Sequence, residues 1–211
     1  MRPQHRLTAP LAAVLALALA APAGASLLLA LDLPTLVARA DRIAVVDVKS
    51  IRSAWNSRHD RISTTIDLAV VESWKGGAAQ ATHLQVVQPG GTVGDITMTV
   101  DGMPRFAVGE RALLFLHGPA DKSSVVGMTQ GKRAVGREAG TGRWIVNVPD
   151  RTGADFVRTT PASADAPVFE MRARGLDDLR GQVRDLVNAS PSGPAGGPAG
   201  GPAGGSTGDR K

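Results

Sequence analysis

From Ile62 to Val71 the chain alternates, with Ile62, Thr64, Ile66, Leu68 and Val70 on one parity and Ser63, Thr65, Asp67, Ala69 and Val71 on the other. Successive side chains of a strand point to opposite faces, so this run has one apolar face that must lie on a core. Ile43 to Val48 is a β-branched run that continues through Lys49-Ser50-Ile51 to Trp55, which predicts a long, bent or twisted first strand. A polar turn, Asn56-Ser57-Arg58-His59-Asp60, separates the two. Trp74-Lys75-Gly76-Gly77 closes the second strand, and Leu84 with Val86 marks a third that Pro89-Gly90-Gly91 stops. Ile96 to Val100 reads as a short extended piece before the turn at Asp101-Gly102. Ala112-Leu113-Leu114-Phe115-Leu116, entered through Val108-Gly109-Glu110, is continuously apolar and suits a strand covered on both faces. Val125 to Met128, Ala134-Val135 and Trp144 to Val148 give further strands.

No helical run separates these strands. Many short strands with Gly-rich turns predict a mainly β fold, an antiparallel barrel or sandwich, over a βαβ arrangement. Helices are expected only at the ends. Asp32-Leu33-Pro34 offers an N-cap and a first-turn proline, Leu33, Leu36 and Val37 share one face, and the helix should end near Ala40. Leu176, Leu179, Val183, Leu186 and Val187 stripe a second helix, with Asp177 and Asp178 at the positive end of its dipole and Asn188 with Pro191 beyond it. Asp150 to Ala166 is polar and contains proline, so it reads as the loop that delivers the chain to this helix.

The start of the chain has the form of an export leader. Met1 to Arg6 carries two arginines and no acid, an apolar run follows from Leu11 to Ala21, and Ala23-Gly24-Ala25 is a small-x-small cleavage pattern. The expectation is a signal peptide over residues 1–25, a mature start near Ser26, and a secreted or periplasmic protein. The apolar run is about half the ~20 residues a spanning helix needs, so no stable membrane span is expected once the leader is removed. The chain has no cysteine. A lipid anchor on the mature terminus is thereby excluded, and the core must hold without disulfides. About 160 residues remain between leader and tail, enough for one core.

The formal charge of +5 falls to +3 without Arg2 and Arg6. Nucleic-acid binders cluster Lys and Arg on one face between aromatic platforms, and three Trp, four Phe and no Tyr supply neither, so nucleic acid is not an expected partner. From Pro191 to Gly205 the chain reads Pro-Ser, then Gly-Pro-Ala-Gly three times, then Gly. A period of four cannot put glycine at every third position, which excludes collagen and leaves a flexible tail over residues 191–211.

Catalytic constellations are missing from the sequence. His59, His83 and His117 stand alone, with no His-x-x-x-His and no cysteine to complete a zinc site; His59-Asp60 lies on a turn, where adjacent side chains diverge. There is no Gly-x-Ser-x-Gly elbow. Pro89 to Gly94 lacks the Gly-Lys-Ser and following helix of a phosphate loop and reads as a flexible loop. Gln130-Gly131-Lys132 reads as a hairpin turn with an exposed lysine. In Trp74-Lys75-Gly76 the Trp should cover the barrel end, the Lys should be solvated and the Gly should take the turn. No enzyme activity, cofactor or metal is therefore expected.

The succession Ala40-Asp41-Arg42-Ile43-Ala44-Val45, Thr65-Ile66-Asp67-Leu68, Trp74-Lys75-Gly76, Gly109-Glu110-Arg111 and Leu113-Leu114-Phe115-Leu116 resembles a group of uncharacterised exported bacterial β-barrel proteins. More distantly it is similar to the netrin-like, OB-type module of the tissue inhibitors of metalloproteinases. The resemblance covers Leu31 to Val135 and implies an OB-like barrel over residues 26–148, followed by a connecting loop and docked helix over 149–190. Those inhibitors bind a protease's zinc through an N-terminal cysteine, which this chain lacks, so no inhibitory residue carries over. OB-type barrels bind through the loop joining their first two strands. That points to Trp55, Asn56, Arg58 and His59 as the contact residues, with Arg58 supplying charge and Trp55 an apolar anchor. The expected function is an exported, non-catalytic binding module that recognises another exported protein, in inhibitor-like form a protease. The alternatives are a structural cell-envelope component held by its helix and tail, and, more remotely, a hydrolase whose triad comes from distant residues.

Overall fold

The computed structural model describes residues 26–77, 83–147, 154–157 and 173–189. The expected signal peptide (residues 1–25), the expected tail (191–211) and most of the expected 150–166 loop lie outside the described residues. The strands are β1 (Ser26–Leu29), β2 (Arg42–Trp55), β3 (Ile62–Lys75), β4 (His83–Pro89), β5 (Gly91–Val93), β6 (Ile96–Met98), β7 (Arg111–His117), β8 (Ser124–Val125), β9 (Lys132–Arg137), β10 (Trp144–Val146), β11 (Ala154–Val157) and β12 (Arg174–Gly175). Among the described residues two α-helices join them, α1 (Leu33–Arg39) and α2 (Leu176–Ala189).

The main sheet runs β12-β10-β9-β7-β2-β3-β4, with β8 also on β7, and every pairing in it is antiparallel. The described residues are thus mainly β with two α-helices, as the patterning predicts. The sheet is not the closed shell expected. Its ladder is open, with β4 and β12 at its ends. The outer edge of β4 meets a segment rather than a strand: Gln85 N–H donates to Ala120 O (2.8 Å), Val87 N–H to Ser123 O (3.0 Å) and Ser123 N–H to Gln85 O (2.9 Å). β1 and β11 form a separate parallel pair, and β5 and β6 a short hairpin.

Three register shifts in β2, the last between Val48 and Ser50, increase local twist and bend the strand as its composition suggests. Ile43 to Val46 of β2 and Ala112 to Leu116 of β7 are buried on both faces. Ile43, Val45, Leu113 and Phe115 pack with Leu36 and Val37 of α1 and Leu179 and Val183 of α2. On the opposite face Ala44, Val46, Leu114 and Leu116 pack with Val48, Ile66, Leu68, Leu84 and Val86. Each such side chain contributes roughly 1.5–3 kcal/mol on burial, which is how a chain without disulfides secures its core.

α1 starts where its cap residue directs. Asp32 Oδ1 accepts the Thr35 N–H at 2.8 Å, Pro34 occupies the first turn, and the Thr35 hydroxyl and amide hold the Asp32 carboxyl below its usual pKa. The helix ends at Ala40. Trp74-Lys75-Gly76 proves to be its clamp. Lys75 is half-buried rather than freely solvated: its Nζ donates to Val37 O at 2.7 Å, capping a carbonyl of the last helical turn. Trp74 packs on the helix-side core, and Gly76 turns at φ +82° beneath Asp41.

Other local expectations need correction. Pro89 to Gly94 is not a flexible loop, because Gly91–Val93 is β5 and pairs with β6. Of the expected 125–128 strand only Val125 lies in a strand, as the end of β8; Met128–Gly131 is a 3-10 turn, entered through Gly127 at φ +64°. Gln130 is buried there and accepts the Leu31 N–H at 2.7 Å. Lys132 is not exposed either: only 11% of its side chain is accessible, paired with Glu110 at 2.9 Å and lying over the Phe106 ring. Within the expected 150–166 loop, Ala154–Val157 is a strand.

Candidate functional site

β7 pairs with residues 42–47 of β2, and Val48 completes the contact by donating to Glu110 O and accepting from Gly109 N–H, both at 2.9 Å. Beyond Val48, β2 pairs with β3 alone, from Ser50↔Asp67 to Trp55↔Ile62. This distal half of the hairpin carries the turn that the sequence singled out.

Asn56 builds the turn. Its Oδ1 accepts the N–H groups of Asp60 (3.1 Å) and Arg61 (3.3 Å), its Nδ2 donates to Asp60 Oδ1 (2.6 Å), and its backbone bonds to Arg61 and His59. Such Asx hydrogen bonding replaces a longer loop. The Asn56 side chain thus makes its hydrogen bonds inside the turn. His59 sits at φ +54°, a left-handed position that turns its imidazole back over Trp55. The two rings stack with centroids 6.3 Å apart and planes 22° apart. Trp55 is half-buried on the face it shares with fully buried Ile62, whereas Arg58, His59 and Arg61 are exposed. Among the described residues Arg58 and Arg61 have no ion-pair or hydrogen-bond partner for their side chains. The structure thus brings Trp55 and His59 together, leaves Arg58 free beside them and bonds the Asn56 side chain within the turn.

Asp67, unmarked in the sequence reading, steadies this half of the hairpin. Its carboxylate accepts from Ser50 Oγ and Arg52 Nη2 on β2 and from Gln85 Nε2 (2.8 Å) on β4. The Ser50 hydroxyl first, then Gln85 and Arg52, hold its carboxyl below the usual range. The only available signal was an acid on the polar parity of the alternating strand. A second missed cluster lies at the β7 end. Arg111 forks onto Asp47 (2.7 and 3.1 Å), and Arg111 and Arg137 both lie over the Trp144 ring at 5.0 and 4.3 Å. The pair lowers the Asp47 pKa and raises that of Arg111, so the charges at the adjoining cavity of about 440 Å³ are already satisfied.

Below the tip, a cleft of about 470 Å³ opens between the β3–β4 face and the β5–β6 hairpin, with Ile51, Ile66 and Phe106 among its walls. Gly91 holds the hairpin against the sheet, since a Cβ there would stand 2.3 Å from both Ser53 Oγ and Thr64 Oγ1.

His59 and His117 lie at opposite ends of β2. His117 Nδ1 lies 2.8 Å from Asp41 Oδ2 at the start of β2, while His59 lies past its far end. Among the described residues no three of His, Cys, Asp and Glu group closely enough to hold a metal ion, and no helix is long and apolar enough to cross a membrane. No family model, curated protein or solved structure matches the chain.

Proposed function

We propose that the chain is an exported, non-catalytic module that recognises another extracytoplasmic protein through the tip of the β2–β3 hairpin. The observation that carries this reading is the Trp55–His59 stack beside unpaired Arg58 and Arg61, held on a turn that Asn56 closes with its own side chain. An aromatic anchor and an Arg on a pre-ordered support are what dominate recognition hot spots, because little side-chain entropy is lost on binding. The β7-β2-β3-β4 order and the parallel bridge from Val86 to Ser123 support reading the sheet as a partly open OB-like, netrin-like barrel, in which the loop between the first two strands is a binding loop.

The test is affinity capture from the periplasmic and culture-medium fractions of the source cells, with the wild-type chain and a Trp55→Ala, Arg58→Ala double variant as baits. A stoichiometric protein recovered by the wild type and reduced at least tenfold by the variant is the expected result; a protease in that position would give the inhibitor-like form. Equal recovery by both baits, or sedimentation with peptidoglycan and no soluble partner, would sink this reading, the latter in favour of an envelope component.

A further inference from the structure

The backbone of the distal hairpin carries unused hydrogen-bonding groups, and their positions follow from the register. Asn56 N–H bonds to Arg61 O across the hairpin, while Ile62 O accepts from Gly90 N–H on the far side of β3. Backbone groups of successive residues face opposite edges of a strand, and no register shift occurs from Ser50 to Trp55. Arg52 and Ala54 therefore turn their N–H and C=O groups towards β3. Ile51, Ser53 and Trp55 turn theirs away from it, to the edge that β7 covers only as far as Val48. Among the described residues no backbone group bonds to those three donors and three acceptors.

The surroundings of this edge are basic. Lys49, Arg52, Arg58 and Arg61 are exposed around it. Of the nearby acids, Asp47 is paired with Arg111 and Asp67 with Ser50, Arg52 and Gln85, whereas Asp60 is bonded to the neutral Asn56 and keeps its charge, so the excess of positive charge comes from Arg58 and Arg61 together with Lys49. Side chains also divide by parity, Ile51 and Trp55 on the cleft side and Arg52 on the other.

We infer that the outer edge of β2 at Ile51, Ser53 and Trp55 takes up an extended acidic segment of the partner protein as an added β-strand. The main-chain groups supply the pairing, and the alternation of side chains supplies the choice of segment. Apolar side chains of the segment lie beside Ile51 and Trp55, and carboxylates of the other parity lie towards Arg52, with Lys49, Arg58 and Arg61 adding long-range attraction that salt screens. This rests on the proposed role in protein recognition and names the chemistry of the partner.

The probe is acetyl-(Glu-Val)4-amide, with acetyl-(Lys-Val)4-amide as its counterpart, titrated into the full chain while amide exchange is followed by NMR. The acidic peptide should slow exchange at Ile51, Ser53 and Trp55 at least tenfold, and the basic one should not. Ser53→Pro removes an outward N–H without touching the pairing to β3, and should weaken binding at least tenfold, whereas Ser53→Ala should bind like wild type. Unchanged exchange at the three amides, equal binding of both peptides, or wild-type affinity in Ser53→Pro would overturn the inference. So would amides already protected in the free chain, since one of its own segments would then fill the edge. If Ser53→Pro fails to fold, the exchange pattern of the wild type still decides. A silent acidic peptide alongside partner capture that depends on Trp55 and Arg58 would remove strand addition alone and leave the recognition reading standing.

Discussion

Asp67 shows how one side chain sets the shape of the candidate surface. It is the common acceptor for Ser50, Arg52 and Gln85, so it ties two β2 side chains to β4 across the intervening strand. Hydrogen bonds to a charged acceptor contribute roughly 1.5–3 kcal/mol where buried and less at an exposed partner such as Arg52. Asp67→Asn should therefore cost about 1–2 kcal/mol at neutral pH. The pH dependence has a definite sign. A carboxyl whose folded pKa lies below its unfolded value, about 3.9, contributes in full above that value and loses its contribution as pH falls through the lowered folded value. Urea unfolding of both forms should show a gap that is constant from pH 5 to 7 and narrows below pH 4. A gap unchanged at the lowest pH would show that the ionised carboxylate is not the source. The parity of Asp67 was legible in the sequence; its partners were not, because Gln85 meets it only through the β3–β4 register.

At the scale of elements, α1 illustrates what a short helix needs from its neighbours. Seven residues are too few for a stable isolated helix, so Leu36 and Val37 must be buried and the open carbonyl end must be met. Lys75 meets it at Val37 O, and Gly76 lets the chain pass close to Asp41 just beyond the helix. A Cβ on Gly76 would stand 2.2 Å from Asp41 O, at a φ of +82°, whereas Gly77 at φ +61° faces open space. Gly76→Ala should thus destabilise by about 2 kcal/mol or more, strain and clash together, and Gly77→Ala by about 1 kcal/mol from conformation alone. Chemical denaturation of the two variants checks the order, and equal costs would contradict the clamp. The cap at Asp32, the burial stripe of α2 and the two-faced β7 were readable because each signal lies within a few residues. β5 was hidden: a Pro-Gly-Gly run carries loop composition, although Gly91–Val93 pairs with β6, and the hairpin is seated by the fit of Gly91 onto Ser53 and Thr64, residues about 30 positions away. Lys132 was misjudged for the same reason, since Glu110 and Phe106 are distant in sequence.

For the whole molecule, the strands were legible but the path of the sheet was not. Alternation says that a strand has an inner face; it does not say whether the last strand returns to the first, and here β9, β10 and β12 extend the ladder away from β4. The outcome is a graded structure. The proximal half of β2 and β7 lie between two apolar clusters, with α1 and α2 on one side, while among the described residues the distal half of β2 has β3 as its sole ladder partner. Regions with fewer buried contacts open locally without global unfolding. Hydrogen exchange should find the amides of Val45, Leu113 and Phe115 exchanging only through global unfolding, with strong denaturant dependence. Amides near the tip, from 55 to 62, should exchange at least about a hundredfold faster and with little denaturant dependence. Phe115→Ala, which empties the centre of the helix-side core, should cost about 3–5 kcal/mol and speed the first set while leaving the second unchanged. If the tip accelerates in step with the core, the hairpin is part of one cooperative unit. If it does not, the contact surface can be altered residue by residue while the sheet that carries it stays folded, which is the property a recognition loop on a rigid support requires.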